Sequence, residues 1–282
     1  MTGQARDRVD YDECGIGPTV VLVPGSCSTG AAWRPVIAAW DSQFRTVTTS
    51  LPGYGGTDER RTASDPSIAQ EAEVLEAVIR RAGGRVHLVG HSFGGLVALA
   101  VALRDRVALA SLTIIEAPAV GALQQQEEEQ HYRAFRQMSD AYFAAFESGQ
   151  PEAVEMMIDF YGGAGSFAAL PARVRAYAVA TTATNILDWA SAYNFPLTAE
   201  FLAKVQLPTL ILLGGMSNPA VQRANVLLSE RISDATLEAI DGAAHFMIMT
   251  HANDVARLIA THVHRAECGH RHGLRILRGK RA

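Results

Sequence analysis

A repeated alternation of strand-like and helix-like segments constrains this chain most. Thr19–Val23 is a continuous apolar and β-branched run, typical of a strand buried in a parallel sheet. Further strands are predicted at Phe44–Thr49, Arg85–Val89, Ala110–Ile115, Pro208–Leu213 and Ala235–Ile240. Helical patterns lie between them, including Phe93–Arg104 and a helix that begins at Asp65-Pro66. This alternation predicts an α/β fold with a mostly parallel central sheet flanked by helices.

One long stretch interrupts the alternation. Between Gly121 and Val205 the strand signals vanish and helical segments follow one another, which predicts a helical cap, residues 121–205, inserted into one core. That core comprises residues 1–120 and 206–263. Residues 264–282 are rich in Lys, Arg and His, with little apolar content and no metal-finger spacing, so we expect a disordered basic tail.

The composition limits which classes of molecule the protein is expected to bind. A net charge of −4 gives no broad positive field for nucleic acid or an anionic membrane. No apolar run approaches the roughly 20 residues that a bilayer-spanning helix needs. We therefore expect a small-molecule partner. Three cysteines without CxxC spacing, and an N-terminus without an apolar signal region, predict a reduced cytoplasmic protein.

The segment Gly90-His91-Ser92-Phe93-Gly94 lies directly after a predicted strand and directly before a predicted helix. A sharp turn at this place presents the middle hydroxyl alone at the carboxyl edge of the sheet, and flanking glycines allow strand and helix to approach. Ser92 is therefore the predicted nucleophile. The backbone N–H of Phe93, at the helix N-terminus, is one predicted donor to an oxyanion.

A serine hydroxyl needs a base within hydrogen-bond reach. His245 is the best candidate, because it lies in a loop after the last predicted strand, from which it can return to the carboxyl edge of the sheet. His87 is interpreted as a core histidine. His91 precedes Ser92 on a turn that points adjacent side chains apart, and it is interpreted as a residue that packs or forms a local hydrogen bond.

With these motifs the chain resembles the α/β-hydrolase fold superfamily from Tyr11 to about Val263, and within it capped bacterial serine esterases of the pimeloyl-carrier-protein methyl ester esterase type. The resemblance implies a second oxyanion donor after the strand Thr19–Val23, where this chain reads Pro24-Gly25-Ser26. The Ser26 N–H is that donor, and Cys27 is a neighbour rather than a nucleophile. Relatives often have a histidine at the place of Pro24, which braces this loop.

The resemblance places the acid of the triad after the strand Pro208–Leu213, but Asn218 stands there. An asparagine can orient an imidazole but cannot stabilise an imidazolium by charge. Glu116, which follows the strand Ala110–Ile115, is the predicted acid instead, with Asn218, Asp241 and Asp188 as rivals.

These residues predict hydrolysis of a carboxylic ester of a small organic substrate, through a Ser-His-Glu triad and an acyl-enzyme, with no metal or organic cofactor. Two alternatives stay open. The same triad serves hydrolysis of carbon–carbon or lactone bonds, and the departures at Pro24 and Asn218 would also suit a non-catalytic ligand-binding member of the fold. Several aromatic and Met side chains of the cap could line an acyl pocket, although packing within the cap explains most of them: Tyr132, Phe135, Tyr142, Phe143, Phe146, Met156, Phe160, Trp189 and Tyr193.

Overall fold

A computed structural model describes residues 8–65 and 67–279, and a seven-stranded sheet forms the centre of this part of the chain. The strands are β1 (Asp12–Cys14), β2 (Thr19–Val23), β3 (Arg45–Thr48), β4 (Val86–His91), β5 (Leu109–Ile115), β6 (Thr209–Gly214) and β7 (Ala235–Ile240). Their spatial order is β1-β3-β2-β4-β5-β6-β7. All neighbours pair in parallel except β1, which lies antiparallel to β3. The predicted α/β fold with a mostly parallel sheet is confirmed.

The helices follow the strands in the expected order. The first are α1 (Arg34–Ala39), α2 (Ala69–Ala82) and α3 (Phe93–Arg104). The helical segment between β5 and β6, called the cap below, contains α4 (Glu129–Glu147), α5 (Val154–Gly162), α6 (Ser166–Ala169), α7 (Ala172–Ala180), α8 (Thr182–Asn194) and α9 (Ala199–Leu202). The last are α10 (Pro219–Arg231), α11 (Met247–Thr250) and α12 (Ala252–Gly279). No helix among the residues that the structure describes is long and apolar enough to cross a membrane.

The two faces of the sheet bury separate apolar layers. Along β2, Val21 and Val23 pack in the layer that includes residues of α2, α3 and α10, whereas Val20 and Leu22 pack with residues of α1 and α12. This is the alternation of a strand that is covered on both sides. Consequently only the ends of the strands and the loops that follow them are free to form a site.

The ends of several strands differ from the sequence prediction by one or two residues, and two differences at helices are larger. Helix α2 begins at Ala69 rather than at Asp65, because the Asp65 carboxylate accepts the Ser67 N–H (3.3 Å) and the Gln70 side-chain amide (2.9 Å) in a turn that precedes the helix. Pro66 lies outside the described residues.

The basic tail is the second difference. Helix α12 continues past Val263 to Gly279, so the described part of the segment that begins at residue 264 is drawn as helix, where the composition predicts disorder. The first residues of this segment contact the core: the His264 ring lies 5.5 Å from the Phe44 ring, and Glu267 lies 3.3 Å from His87 Nε2. Residues 280–282 lie outside the described residues.

Candidate active site

Ser92 sits in a strained turn between β4 and α3. Its backbone has φ 54° and ψ −128°, a conformation that side-chain-bearing residues rarely adopt. Strand and helix meet so closely that a Cβ on Gly90 would lie 2.3 Å from the Gly94 carbonyl oxygen. The Ser92 N–H donates to the Ile115 carbonyl of β5 (2.8 Å), which fixes the turn at the edge of the sheet. Ser92 therefore stands at the carboxyl ends of the strands, where the sequence placed it.

The loop after β2 closes over this serine. A Cβ on Gly25 would come within 2.7 Å of the Ser92 Cβ and 3.3 Å of its Oγ, so only glycine permits the approach. Ser26 follows directly, and Ser26, Ser92 and Phe93 all line one cavity. Phe93 is the first residue of α3, so its N–H has no acceptor within that helix. The two predicted oxyanion donors thus belong to segments that meet at Ser92.

His245 and Glu116 form a buried pair. His245, in the loop between β7 and α11, places its Nδ1 2.7 Å from Glu116 Oε2. The other oxygen, Glu116 Oε1, accepts the N–H of Gly214 (2.7 Å). Because a carboxylate only accepts, His245 carries its proton on Nδ1 and, when neutral, leaves Nε2 free to accept one. The side chains of both residues are buried, at 3% and 0% exposure, while His245 also lines the cavity that contains Ser92.

The rivals for the acid lie elsewhere. Asn218 caps α10, since its Oδ1 accepts the Ala220 N–H (2.9 Å) while its Nδ2 donates to the Phe160 carbonyl (3.3 Å). Asp241 is exposed. Asp188 is buried on the cap helix α8, where it bonds Ser26 rather than His245. Of the four candidates, Glu116 is the one that the structure brings to the imidazole.

His91 supports the loop that carries His245. Its Nε2–H donates to the His245 backbone carbonyl (2.9 Å), and the two imidazole rings lie 4.8 Å apart. Burial, reinforced by the neighbouring His245, lowers the pKa of His91 to about 3. A neutral ring with one N–H suits a fixed hydrogen bond to a carbonyl, so His91 bonds a loop 154 positions away in the chain, where the sequence predicts packing or a local hydrogen bond.

The cavity opens between the sheet edge and the cap. With its mouth it has a volume of about 900 Å³, and its cap wall is mostly apolar. Tyr161 of α5 lies over the imidazole, with its ring centroid 4.2 Å from that of His245. Trp189 of α8 forms part of the same wall. No group of three His, Cys, Asp or Glu side chains that could hold a metal ion occurs among the residues described.

The sequence predicts only some of the side chains that form the cap wall of the cavity. Of the nine side chains proposed for an acyl pocket, Trp189 lines the cavity, whereas Phe135 and Tyr142 pack inside the cap and Phe146 and Met156 are exposed. Tyr161, Met157 and Ile158 line it instead. All three lie on α5, and a helical pattern alone does not show which of its apolar residues face the cavity rather than the interior of the cap.

Cys27 also lines the cavity, next to Ser26. Burial raises the pKa of its thiol to about 12, so the sulfur stays protonated and is a poor nucleophile. Cys27 has φ 55°, one of the strained non-glycine residues near the site, together with Ser92 and Glu116 (φ 46°). Its place beside the site, rather than in the chemistry, is the one the sequence suggested.

Comparison with known proteins places this arrangement in a family. The model of the alpha/beta hydrolase family matches residues 20–258, and the chain therefore belongs to that family. The resemblance that the motifs suggested is confirmed.

The similarity to individual relatives is shorter. A putative carbamate hydrolase, RutD, of Agrobacterium fabrum is 34% identical over 100 residues, which cover 36% of this chain and 38% of the relative. The pimeloyl-(acyl-carrier protein) methyl ester esterase of Aeromonas salmonicida is 34% identical over 111 residues, or 39% of this chain and 42% of the relative. The chain thus spans less than half of these two relatives.

Among solved structures, an esterase from Thermogutta terrifontis superposes with a TM-score of 0.73 at 20% identity. The superposition covers 92% of this chain and 93% of that chain. This likeness shows a shared fold along nearly the whole chain.

Proposed function

We propose that the protein is a serine hydrolase that cleaves a carboxylic ester of a small organic molecule. The observation that carries the proposal is the buried Glu116–His245 pair, joined at 2.7 Å, beside the cavity that Ser92 enters from a strained turn. A buried carboxylate that fixes the tautomer of an imidazole is the arrangement that activates a serine hydroxyl. The identity to a methyl ester esterase over part of the chain supports an ester as substrate.

The chemistry we propose has two halves. Ser92 Oγ attacks the ester carbonyl carbon while His245 Nε2 takes the hydroxyl proton, and the N–H groups of Ser26 and Phe93 donate to the oxyanion. The ester C–O bond then breaks, and His245 returns the proton to the leaving alkoxide. In the second half, a water attacks the acyl-enzyme with His245 as base, which releases the carboxylic acid and restores Ser92. Throughout, Glu116 stabilises the imidazolium.

The cavity supports a small, largely apolar substrate. Its cap wall presents Tyr161, Met157 and Ile158, so an alkyl or aryl group is the part of the substrate that this wall suits. We also propose a cytoplasmic location, which the unbridged thiols of Cys14 and Cys27 support.

Labelling with a fluorophosphonate and mapping the adduct by mass spectrometry tests the proposal. We expect the adduct on Ser92, its loss in Ser92→Ala, strong slowing in His245→Ala, and wild-type behaviour in the control His251→Ala. The same set is assayed on short-chain aryl esters, a β-diketone and a γ-lactone. If wild type takes up no label and hydrolyses none of these compounds, the protein is not a serine hydrolase. Faster cleavage of the diketone or the lactone would favour the corresponding alternative bond.

A further inference from the structure

A buried carboxylate from the cap contacts the loop that carries the oxyanion donor. Asp188 lies on α8 and is 2% exposed. Its Oδ2 accepts a hydrogen bond from the Ser26 hydroxyl at 2.5 Å and another from the Tyr54 hydroxyl at 2.6 Å. The Ser26 side chain is therefore held by the cap, whereas its N–H belongs to the core loop at Ser92.

The other oxygen of the Asp188 carboxylate forms a salt bridge with the buried Arg61 guanidinium. Arg61 Nη1 lies 2.6 Å from Asp188 Oδ1 and 2.8 Å from Glu71 Oε1, and its Nη2 lies 2.7 Å from Glu59 Oε2. The side chains of Arg61, Asp188 and Glu71 are at most 2% exposed. A charge pair buried in this way has strict geometry, because either partner without the other would be an uncompensated charge in the interior. Asp188 thus has little freedom to move relative to the core.

The loop that Asp188 contacts through Ser26 contains a strained residue. Cys27, directly after Ser26, is held at φ 55°, and such a residue keeps its conformation only where the surroundings impose it. Pro24 stands in this loop and offers no side-chain hydrogen bond of its own. The Ser26–Asp188 hydrogen bond therefore stabilises this loop through a residue that lies outside it.

We infer that Asp188 is a positioning residue: through Ser26 it holds the oxyanion-binding loop in place, so that the cap is coupled to the chemical step and not only to substrate binding. The inference rests on the proposed function. It assigns no direct contact between Asp188 and the reacting atoms. Because an oxyanion donor acts only when it is correctly aimed, release of the loop should slow acylation while substrate binding is largely kept.

A matched pair of variants tests this role, although Asp188→Asn also replaces the acceptor of the Tyr54 hydroxyl. Asp188→Asn and Glu71→Gln each remove one negative charge from the surroundings of Arg61, and each keeps an oxygen that can accept from it. Only Asp188→Asn replaces the acceptor of the Ser26 hydroxyl. We expect Asp188→Asn to lower kcat on an aryl ester by about 10- to 100-fold with KM changed less than about 3-fold, and Glu71→Gln to change kcat by less than about 3-fold.

Ser26→Ala gives a second, milder route. It removes the same hydrogen bond, keeps the N–H and leaves the Arg61 cluster intact, so it stays informative if Asp188→Asn fails to fold. We expect it to lower kcat by about 10-fold, and the double variant to be no slower than the slower single variant, because both changes break one tie. An aryl boronic acid, which mimics the tetrahedral adduct, should lose affinity by a factor close to the loss in kcat.

Fluorophosphonate titration separates this role from loss of folded enzyme, since a folding defect lowers the amplitude of labelling whereas a misaimed loop lowers its rate. Equal effects of Asp188→Asn and Glu71→Gln, or additive effects of Ser26→Ala and Asp188→Asn, would overturn the inference while wild type still hydrolyses the ester. Absence of labelling and turnover in wild type would instead overturn the proposed function.

Discussion

Strands β5 and β6 are neighbours in the sheet and end at the same edge, yet their ends are built differently. At the end of β5, Glu116 is fully buried, has φ 46° and bonds His245. Beyond the end of β6, Asn218 has an ordinary φ of −53° and caps a helix. The strained end carries the carboxylate and the relaxed end carries a structural amide. Ser92 and Glu116, which directly follow β4 and β5, both have a positive φ, a strain that the surrounding fold must maintain.

Substitutions at the two strand ends should differ strongly in their effect on kcat. In the proposed mechanism the Glu116 carboxylate stabilises the imidazolium, so Glu116→Gln should lower kcat on an aryl ester by about 10³- to 10⁴-fold. Asn218→Ala should change kcat by less than about 3-fold, because its side chain bonds the Ala220 N–H and the Phe160 carbonyl. Steady-state kinetics on both variants is the measurement. An active Glu116→Gln beside an inactive Asn218→Ala would reverse the comparison.

The end of a third strand, β4, carries a buried histidine that makes the stability of the fold depend on pH. His91 has a pKa of about 3 in the folded protein, against about 6.5 in an unfolded chain. Between these values the unfolded chain binds a proton that the folded one does not, so stability falls as the pH falls through this window, by about 1.4 kcal/mol per pH unit.

The variant His91→Gln keeps an N–H donor but cannot titrate, so urea unfolding from pH 7.5 to pH 5 should show a shallower loss, by about 2 kcal/mol in total. Unfolding at pH 7.5, where His91 is neutral in both states, provides the reference for each protein. Parallel curves for wild type and variant would mean that His91 does not contribute to the acid sensitivity.

A smaller effect tests the strain itself. Glycine adopts the backbone conformation of Ser92 without penalty, so Ser92→Gly should raise the free energy of unfolding by about 1 kcal/mol. Ser92→Ala keeps a Cβ at the same φ and is the matched control, with no such gain expected. Urea unfolding measures both. If alanine stabilises as much as glycine, the hydroxyl rather than the backbone is the source of the cost.

The sequence predicts the parts of this molecule that depend on local pattern. Buried apolar runs predicted the sheet, and Gly90 and Gly94 predicted the turn at Ser92, because strand length, helix period and a need for close approach are written within a few residues. The partner of His245 was a harder question, since four side chains were compatible with the chain order and only packing brings Glu116 within 2.7 Å.

Long-range packing accounts for what was missed. The Ser26–Asp188 bond joins residues 162 positions apart, and nothing near either residue indicates it. The composition of the tail predicts disorder, and composition cannot show that His264 and Glu267 contact Phe44 and His87.

At the relaxed strand end we expect an effect on stability alone. Asn218 accepts the Ala220 N–H at the start of α10, a bond whose loss typically costs about 1 kcal/mol of stability, so Asn218→Ala should unfold at a lower urea concentration by that amount. Asn218→Asp caps equally well and places a negative charge at the helix N-terminus, so it should lose less than half as much. Only the amide can donate to the Phe160 carbonyl. If both variants lose stability equally, that hydrogen bond, and not the one to the Ala220 N–H, stabilises this end of β6.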